Sequence, residues 1–252
     1  MAAEHHLAGG HVNTVVRVGD TVRRPMPERA AYVHDLLRLL DHYHWTGAPR
    51  YLGTDTDGRE ILTHLDGHVA WEPAQPPAVW SEDSLVKVTK LVRQFHDLSA
   101  GTDLAEDQEV VCHNDLAPRN TVYRREAAGL RPYAFIDWDL AAPGRRLHDV
   151  AHVCWQFLDL GPRRSSPAGP ARLLALIGET YGLTTRDRGE LVETIMWWQD
   201  RCWRGIAAEA AAGDPAKQRL LDSGVVEGIQ DAFAWVAENR VELEAGLRLA
   251  SS

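Results

Sequence analysis

Hydrophobic residues near the start of the chain recur at every second position, which is typical of β-strands. The stretch VNTVVRV at 12–18 alternates in this way and is followed by Gly19-Asp20, a two-residue link that favours a hairpin. A second hairpin is predicted around Asp57-Gly58, between the runs APRYLGT and REILTHL. The first part of the chain is therefore expected to be mainly β-structure.

Apolar residues at the 3.6-residue repeat predict helices elsewhere in the chain. One helix is predicted from Ala30 to His42, and another after Ser81, a residue type that caps helix N-termini. Beyond Pro143-Gly144 the pattern is helical, with segments near 148–158, 171–181, 187–212 and 224–246. The order of elements predicts an α+β fold of two lobes with a cleft between them. A small β-rich lobe would span residues 1–66 and a larger, mainly helical lobe residues 67–252.

Composition narrows the class of partner. The chain has 36 acidic and 27 basic residues and a formal net charge of -9, which argues against a nucleic-acid partner and is compatible with a cationic ligand. No apolar run approaches the roughly 20 residues that span a bilayer, and the start MAAEHHLAGGH lacks the features of a signal peptide. We therefore expect no membrane partner and a cytoplasmic location.

Cys112, Cys154 and Cys202 form no C-x-x-C pattern and are expected to be small core residues.

The stretch from Val111 to Asp139 carries the polar residues with the clearest chemistry. His113, Asp115 and Asn120 follow the pattern H-x-D-x-x-x-x-N, and Asp137 comes 17 residues later, at the end of an apolar strand. Phosphoryl transfer from ATP requires a carboxylate near the acceptor hydroxyl, oxygen ligands for Mg²⁺ and positive groups on the phosphates. An asparagine oxygen with a carboxylate suits Mg²⁺. This spacing therefore predicts magnesium-assisted phosphoryl transfer.

These residues also carry a family resemblance. The segments VCHNDLAPRN and FIDWDLAAPGRRLHDVAHV resemble the catalytic loop and the metal-binding segment of the aminoglycoside phosphotransferase and choline kinase family, within the protein-kinase-like enzymes. The resemblance implies a two-lobed kinase fold, with Asp115 as catalytic base or hydroxyl-orienting group. It further implies Asn120 and Asp137 as magnesium ligands, and His113 and Asp149 as structural residues that brace the catalytic loop.

Three of these acidic and imidazole groups have plainer interpretations. His113 alone is explained equally well as a residue of an ordinary loop. Asp149 begins a helix-like segment, so helix capping is a sufficient explanation of it. Asp139 is either a second carboxylate near the metal or a solvated turn residue, and the second interpretation is favoured.

The nucleotide side lacks an expected residue. Kinases of this kind place a strand lysine on the phosphates and pair it with a helix glutamate, yet this chain has no lysine before residue 87. Arg23 is the natural substitute and Arg24 the alternate. The partner of this cation is left open: Asp35 lies on the predicted helix and Glu28 just before it, while His34 occupies the position that aligns with the family's glutamate.

Two further segments are assigned to the nucleotide. Gly9 and Gly10 would let the backbone approach the phosphates. The resemblance implies that the backbone of the segment Ile61 to Leu65, including His64 and Leu65, meets the adenine ring. Solvent exposure is favoured over metal binding for the histidines near the start, His5, His6 and His11.

The acceptor side is expected in the helical half, where the resemblance implies acidic and aromatic groups around the acceptor. Glu193, Trp197 and Asp200 lie at helical spacing on one face. Core packing is the favoured explanation of the tryptophans in this region. The other candidates for acceptor contact are Asp159, Trp198, Trp203 and Glu209.

The leading hypothesis is an ATP- or GTP-dependent and magnesium-dependent kinase, monomeric or homodimeric. It would phosphorylate a hydroxyl of a small molecule that can be cationic: an aminoglycoside-like or other antibiotic, or an aminosugar. One alternative is a catalytically weak, kinase-like ligand-binding or immunity protein, suggested by the missing lysine. Another is a metabolite kinase of the choline or homoserine type. A protein kinase is disfavoured, because D-F-G and A-P-E are absent and only twelve residues lead from Asp137 to Asp149.

Overall fold

The computed structural model describes residues 4–6, 15–72, 74–127 and 129–249. The strands of its first part form an antiparallel sheet. Its strands are β1 Glu4–His6, β2 Val16–Val18, β3 Thr21–Arg24, β4 Tyr51–Thr54 and β5 Glu60–Thr63. They lie in the order β1-β2-β3-β5-β4. Both predicted hairpins are confirmed, and Gly19 and Gly58 adopt positive φ at their turns, a conformation that costs glycine little. Residues 12–14 of the predicted first strand lie outside the described residues.

Helix α1, Ala30–His42, has the bounds predicted from the sequence. Its apolar stripe of Val33, Leu36, Leu37 and Leu40 is at most 1% exposed. Burial of each such side chain contributes about 1.5 to 3 kcal/mol to folding before the loss of chain entropy. The same face buries one polar residue, His34, which bears on the site described below.

The segment after the first sheet leads into a second predicted helix. The short strand β6, His68–Val69, is followed by a 3₁₀ turn at Pro77–Trp80 and by helix α2, Glu82–Ser99. The Ser81 hydroxyl accepts a hydrogen bond from the Ser84 N–H at 3.2 Å, which confirms the predicted N-cap. The apolar side of α2, including the fully buried Phe95, faces the core.

Two small sheets follow and position the polar loops. The strands are β7 Val110–Cys112, β8 Thr121–Glu126, β9 Gly129–Phe135 and β10 Ala142–Gly144. Strands β8 and β9 form an antiparallel hairpin, and β6 pairs with β8. Strand β10, which was not predicted, pairs antiparallel with β7.

The chain divides after Arg146 into two compact units, residues 1–146 and 147–252. The lobe boundary expected after residue 66 stays a prediction. Helix α3, Arg146–Leu158, begins at this division, and the second unit continues with α4 Ala168–Tyr181, α5 Thr185–Ala211, α6 Pro215–Asp222, α7 Val225–Glu238 and α8 Arg240–Leu249. A β-rich beginning and a mostly helical end confirm the predicted α+β class.

The last part of the chain differs from its prediction. The single helix expected over 224–246 is two helices. Helix α7 ends at Glu238, and the side-chain amide of its C-cap Asn239 donates to the Trp235 carbonyl oxygen at 2.8 Å. Helix α6 was not predicted; Asp214 caps it by accepting hydrogen bonds from the N–H groups of Ala216 and Lys217. Within the described ranges, no helix is both long and apolar enough to cross a membrane.

None of the three cysteines forms a disulfide. Cys112 and Cys154 are buried, as expected of small core residues, and burial raises the pKa of the Cys154 thiol above its usual range. Cys202 is only half-buried.

Helix α5 begins with a capping box. The Thr184 hydroxyl accepts from the Asp187 N–H, and the Asp187 carboxylate accepts from the Thr184 N–H, both at 3.1 Å. We expect Thr184→Ala to lower the free energy of unfolding by about 1 kcal/mol, measured by chemical denaturation. Thr185→Ala, at the exposed next position, is the control and should change stability little; equal losses in the two variants would contradict the capping role.

Candidate active site

Two adjacent loops carry the predicted catalytic residues. The loop 113–120 follows β7 and the loop 136–141 precedes β10, and Cys112 of β7 lies opposite Ala142 of β10. The Ile136 N–H also donates to the Asn120 carbonyl oxygen at 2.9 Å. Strand pairing at one end and this hydrogen bond at the other therefore bring the two loops together within the first unit.

His113 is fully buried where the loops meet. Its Nε2 lies 3.1 Å from the Ile136 carbonyl oxygen, and its Nδ1 lies 3.3 Å from the Asp115 backbone nitrogen. A carbonyl needs a donor and an N–H needs an acceptor, so the ring donates from Nε2 and accepts at Nδ1. These two contacts join the second loop to the backbone of Asp115.

Asn114 makes a further connection between the loops. It adopts a left-handed backbone conformation, φ 64°, which asparagine tolerates better than most residues. Its side-chain Nδ2 donates to the Leu140 carbonyl oxygen at 3.0 Å. The left-handed turn and the side-chain hydrogen bond together orient the chain entering Asp115.

Asp115 and Asn120 are in direct contact. Asn120 Nδ2 donates to the Asp115 carboxylate at 2.8 Å and to the Asp115 carbonyl oxygen at 2.9 Å. The other carboxylate oxygen of Asp115 accepts from the half-exposed Arg119 at 2.7 Å. The predicted pair is therefore brought together, and Arg119 is an additional neighbour that the sequence interpretation missed.

Trp138 anchors the second loop. It is 1% exposed, its ring centroid lies 4.5 Å from that of His113 and 4.9 Å from that of Phe95, and its indole N–H donates to the Phe135 carbonyl oxygen. Its neighbours Asp137 and Asp139 are more exposed, with 49% and 26% of their side chains accessible. The buried indole thus separates two carboxylates that remain accessible.

Arg24 lies against both carboxylates. Its Nη1 lies 3.4 Å from Asp137 and 3.2 Å from Asp139, Nη2 also bonds Asp139, and Nε donates to Glu60. Burial acts to lower the pKa of Arg24, but Asp139 and Glu60 outweigh it and hold this pKa above its ordinary value. Burial raises the pKa of Asp139 above its ordinary value even though Arg24 opposes the shift. Asp139 is therefore not the solvated turn residue that the sequence favoured.

Arg23, the first choice for the phosphate-binding cation, contacts a different acid. Its Nη1 lies 3.6 Å from Asp55, which also accepts two hydrogen bonds from Arg59. Neighbouring residues of a strand point to opposite faces of the sheet. The structure therefore places Arg24, and not Arg23, beside Asp137.

The acid that contacts Arg24 was also missed. Glu60 of β5 takes this place, and it is fully buried. Glu28 is exposed, and Asp35 of α1 pairs with Arg38 at the surface. His34, the third candidate, contacts Glu60 instead, with Nε2 2.6 Å from its carboxylate.

Only some of the other residues predicted to contact the nucleotide lie within the described part of the chain. Gly9, Gly10 and His11 lie outside the described residues. His64 and Leu65 follow β5, and the His64 N–H donates to the Asp20 carbonyl oxygen at 2.8 Å. His5 and His6 are exposed on the edge strand β1.

In the second unit, Asp149 is fully buried in the first turn of α3. The helix begins three residues earlier, at Arg146, so Asp149 is not its N-cap.

Of the tryptophans, Trp198 is a core residue whose indole N–H donates to the His148 carbonyl oxygen at 2.8 Å. Trp197 is 43% exposed and stacks on the His148 ring at 5.1 Å, so core packing does not explain it.

Three of the four acidic acceptor candidates do not share a partner. Each forms an ion pair with a different arginine: Asp159 with Arg163, Glu193 with Arg240, and Asp200 with Arg204. All three pairs lie at the surface of the second unit.

Comparison with known proteins agrees with this geometry. Residues 80–192 match the model of the phosphotransferase enzyme family, a range that includes both loops of the site. The trifolitoxin immunity protein of Rhizobium leguminosarum bv. trifolii is 29% identical over 264 aligned positions, covering 96% of this chain and 97% of that protein.

Solved structures share the fold at low sequence identity. A choline/ethanolamine kinase family protein from Mesorhizobium loti is 14% identical with a TM-score of 0.59, covering 94% of this chain and 92% of that one. The chain has the fold of the aminoglycoside phosphotransferase and choline kinase family. The aminoglycoside phosphotransferase APH(3'')-Id of Streptomyces rimosus, in complex with ADP and streptomycin, is 15% identical with a TM-score of 0.55, covering 77% of this chain and 91% of that one. These matches confirm the family resemblance and the protein-kinase-like fold class expected from the sequence.

The contacts of Asn114 lead to a stability prediction. We expect Asn114→Ala to lower the free energy of unfolding by about 2 kcal/mol, because it removes the hydrogen bond to Leu140 and places a Cβ-bearing residue without a polar side chain at positive φ. Asn114→Gly should cost about half as much, since glycine keeps the left-handed conformation. Equal losses in the two variants, measured by chemical denaturation, would contradict a contribution from the backbone conformation.

Proposed function

We propose that this chain transfers the terminal phosphoryl group of a magnesium-bound nucleoside triphosphate to a hydroxyl of a small molecule. The observation that carries the proposal is the contact of Asp115 with Asn120 on one loop. This loop is hydrogen-bonded to the loop that presents Asp137. The match of this region to the phosphotransferase enzyme family supports it.

Asp115 is the proposed catalytic residue. Asn120 holds one of its carboxylate oxygens, while the other contacts Arg119, whose side chain is 50% exposed. When Arg119 moves aside, that oxygen can accept the proton of an acceptor hydroxyl and orient the hydroxyl for attack. His113 would act indirectly, by holding the Asp115 backbone.

Asn120 and Asp137 are the proposed ligands of Mg²⁺, and their chemistry fits that ion. The Asn120 amide donates its N–H groups to Asp115, so the donor atom left for a cation is its side-chain oxygen, a hard ligand. Three carboxylates, Glu60, Asp137 and Asp139, meet the single positive charge of Arg24, which leaves a surplus of negative charge. A bound Mg²⁺ would neutralise charge on the phosphates during transfer.

Arg24 replaces Arg23 as the proposed cation for the phosphates, because it lies beside Asp137. The donor is ATP or GTP; the ADP complex of the Streptomyces rimosus enzyme supports a nucleotide. The backbone at His64 and Leu65 stays the proposed contact for the base, and Gly9 and Gly10 stay a prediction.

The proposed acceptor is an aminoglycoside-like or other antibiotic, or an aminosugar, with a choline- or homoserine-type metabolite as the alternative. The streptomycin complex of the same enzyme supports the first class. Trp197 is the strongest candidate for acceptor contact, since it presents an exposed indole. Asp159, Glu193 and Asp200 would first have to release their arginines. A cytoplasmic location and a monomeric or homodimeric state stay predictions.

Phosphoryl transfer is tested by mass spectrometry of an acceptor panel incubated with protein, nucleotide and Mg²⁺. The panel would hold aminoglycosides, aminosugars, choline and homoserine, and a mass gain of one phosphoryl group is expected. Asp115→Asn should reduce the rate by about 10²- to 10⁴-fold, the usual contribution of a general base, and chelation of Mg²⁺ should stop transfer. Asp107→Asn, at an exposed position before β7, is the control. Failure of the wild-type chain to bind any nucleotide would contradict the proposal.

A second candidate is an immunity function, favoured by the similarity to the trifolitoxin immunity protein over nearly the whole chain. Protection could come from phosphorylation of the toxin or from binding alone. Both use the same fold, and they differ in whether Asp115 is needed.

Survival of a toxin-sensitive host separates these two routes. Trifolitoxin is the probe, and the host expresses either the wild-type chain or Asp115→Asn at equal protein levels. If the wild type protects, we expect Asp115→Asn to lose protection, because transfer needs that carboxylate. Full protection by Asp115→Asn would instead indicate sequestration.

A further inference from the structure

We infer that Glu60 and His34 are positioning residues that hold Arg24 in place for the nucleotide phosphates. This inference rests on the proposed function, since it assigns Arg24 to the phosphates. The three residues form a continuous chain of contacts: Arg24 Nε to Glu60, and Glu60 to His34 Nε2 at 2.6 Å. They would replace the strand lysine and helix glutamate of related kinases.

The two donor edges of the Arg24 guanidinium have different surroundings. The Nε side contacts Glu60, whose side chain is 0% exposed, whereas Nη1 and Nη2 face Asp137 and Asp139, which remain accessible. The first contact is enclosed by protein, and the second can be exchanged for another anion. One edge is thus anchored while the other is available to phosphate oxygens.

Burial makes the anchor strong. An ionised carboxylate out of water is stable only when donors satisfy it, and the two oxygens of Glu60 are met by different groups, Arg24 at Oε1 and His34 at Oε2. Removal of either donor would leave part of a buried charge unsatisfied. Glu60 therefore constrains Arg24 more than a surface acid would.

His34 is itself fixed in orientation. Its ring stacks on Tyr51 with centroids 3.7 Å apart and an interplanar angle of 15°, and the Arg38 guanidinium lies over the other ring of this pair, 4.9 Å from the Tyr51 centroid. Since Nε2 faces a carboxylate, it donates its proton there. Helix α1 thus contributes an N–H donor at the position where related kinases are expected to contribute a carboxylate.

The register between β3 and β5 places Glu60 beside Arg24. Arg24 and Glu60 are directly opposite each other on β3 and β5, so the cation is paired within its own sheet. A lysine at position 24 could not reproduce this arrangement, because a single ammonium group lacks the two separate donor edges of a guanidinium.

The test measures the affinity for Mg-ADP by isothermal titration calorimetry, which needs no acceptor and no turnover. We expect Glu60→Gln to weaken binding about tenfold, in the range of a charged hydrogen bond. His34→Leu should weaken it several-fold, and His34→Gln, which keeps an N–H donor, should recover most of the loss. Asp55→Asn is the matched control: Asp55 is also a poorly exposed carboxylate of this lobe, but it pairs with Arg23 and Arg59, so affinity should stay within about twofold.

A double substitution separates positioning from a general loss of folding. If Glu60 acts through Arg24, the variant Arg24→Gln/Glu60→Gln should bind Mg-ADP no more weakly than Arg24→Gln alone. It also removes both charges, so neither is left buried without its partner. An additional loss in the double variant would overturn the positioning role, as would wild-type affinity in Glu60→Gln. Absence of Mg-ADP binding by the wild-type chain would instead overturn the proposed function, and the role of Glu60 with it.

Discussion

The hydrogen bonds between the loops 113–120 and 136–141 are the constraint on which the site depends. Irregular backbone that is buried must find partners for its N–H and C=O groups. Here the partners come from the opposite loop. The Ile136 carbonyl oxygen accepts from the His113 ring, and the Ile136 N–H donates to the Asn120 carbonyl oxygen. The Leu140 carbonyl oxygen accepts from the Asn114 side chain. The same hydrogen bonds that satisfy these backbone groups also position Asp115 and Asp137.

Charge is the second organising feature. Arg24 contacts Glu60, Asp137 and Asp139, and of these three acids only Glu60 is enclosed completely. The surplus of carboxylates is tolerable at the accessible side, where water or a cation can compensate it, but not at the buried side. This asymmetry distinguishes the enclosed Glu60 from Asp137 and Asp139, which remain accessible to the proposed metal nucleotide.

The comparisons and the geometry bear on different parts of the function. Similarity to the trifolitoxin immunity protein extends over nearly the whole chain, whereas the likeness to kinases of known structure lies in the fold at 14 to 15% identity. The two loops carry the residue types that phosphoryl transfer requires.

The sequence by itself determined the elements with strong local signals. Periodicity predicted helix α1, and residue type predicted the cap at Ser81 and the turns of both hairpins. Spacing singled out the polar set His113, Asp115, Asn120 and Asp137. All of these signals act between near neighbours. Only the tertiary structure decided that Arg24 rather than Arg23 faces the carboxylates, and that its partner is Glu60. The reason is that β3 and β5 are separated by a helix and a further strand, so no turn sets their register; it is set by the packing of the whole sheet.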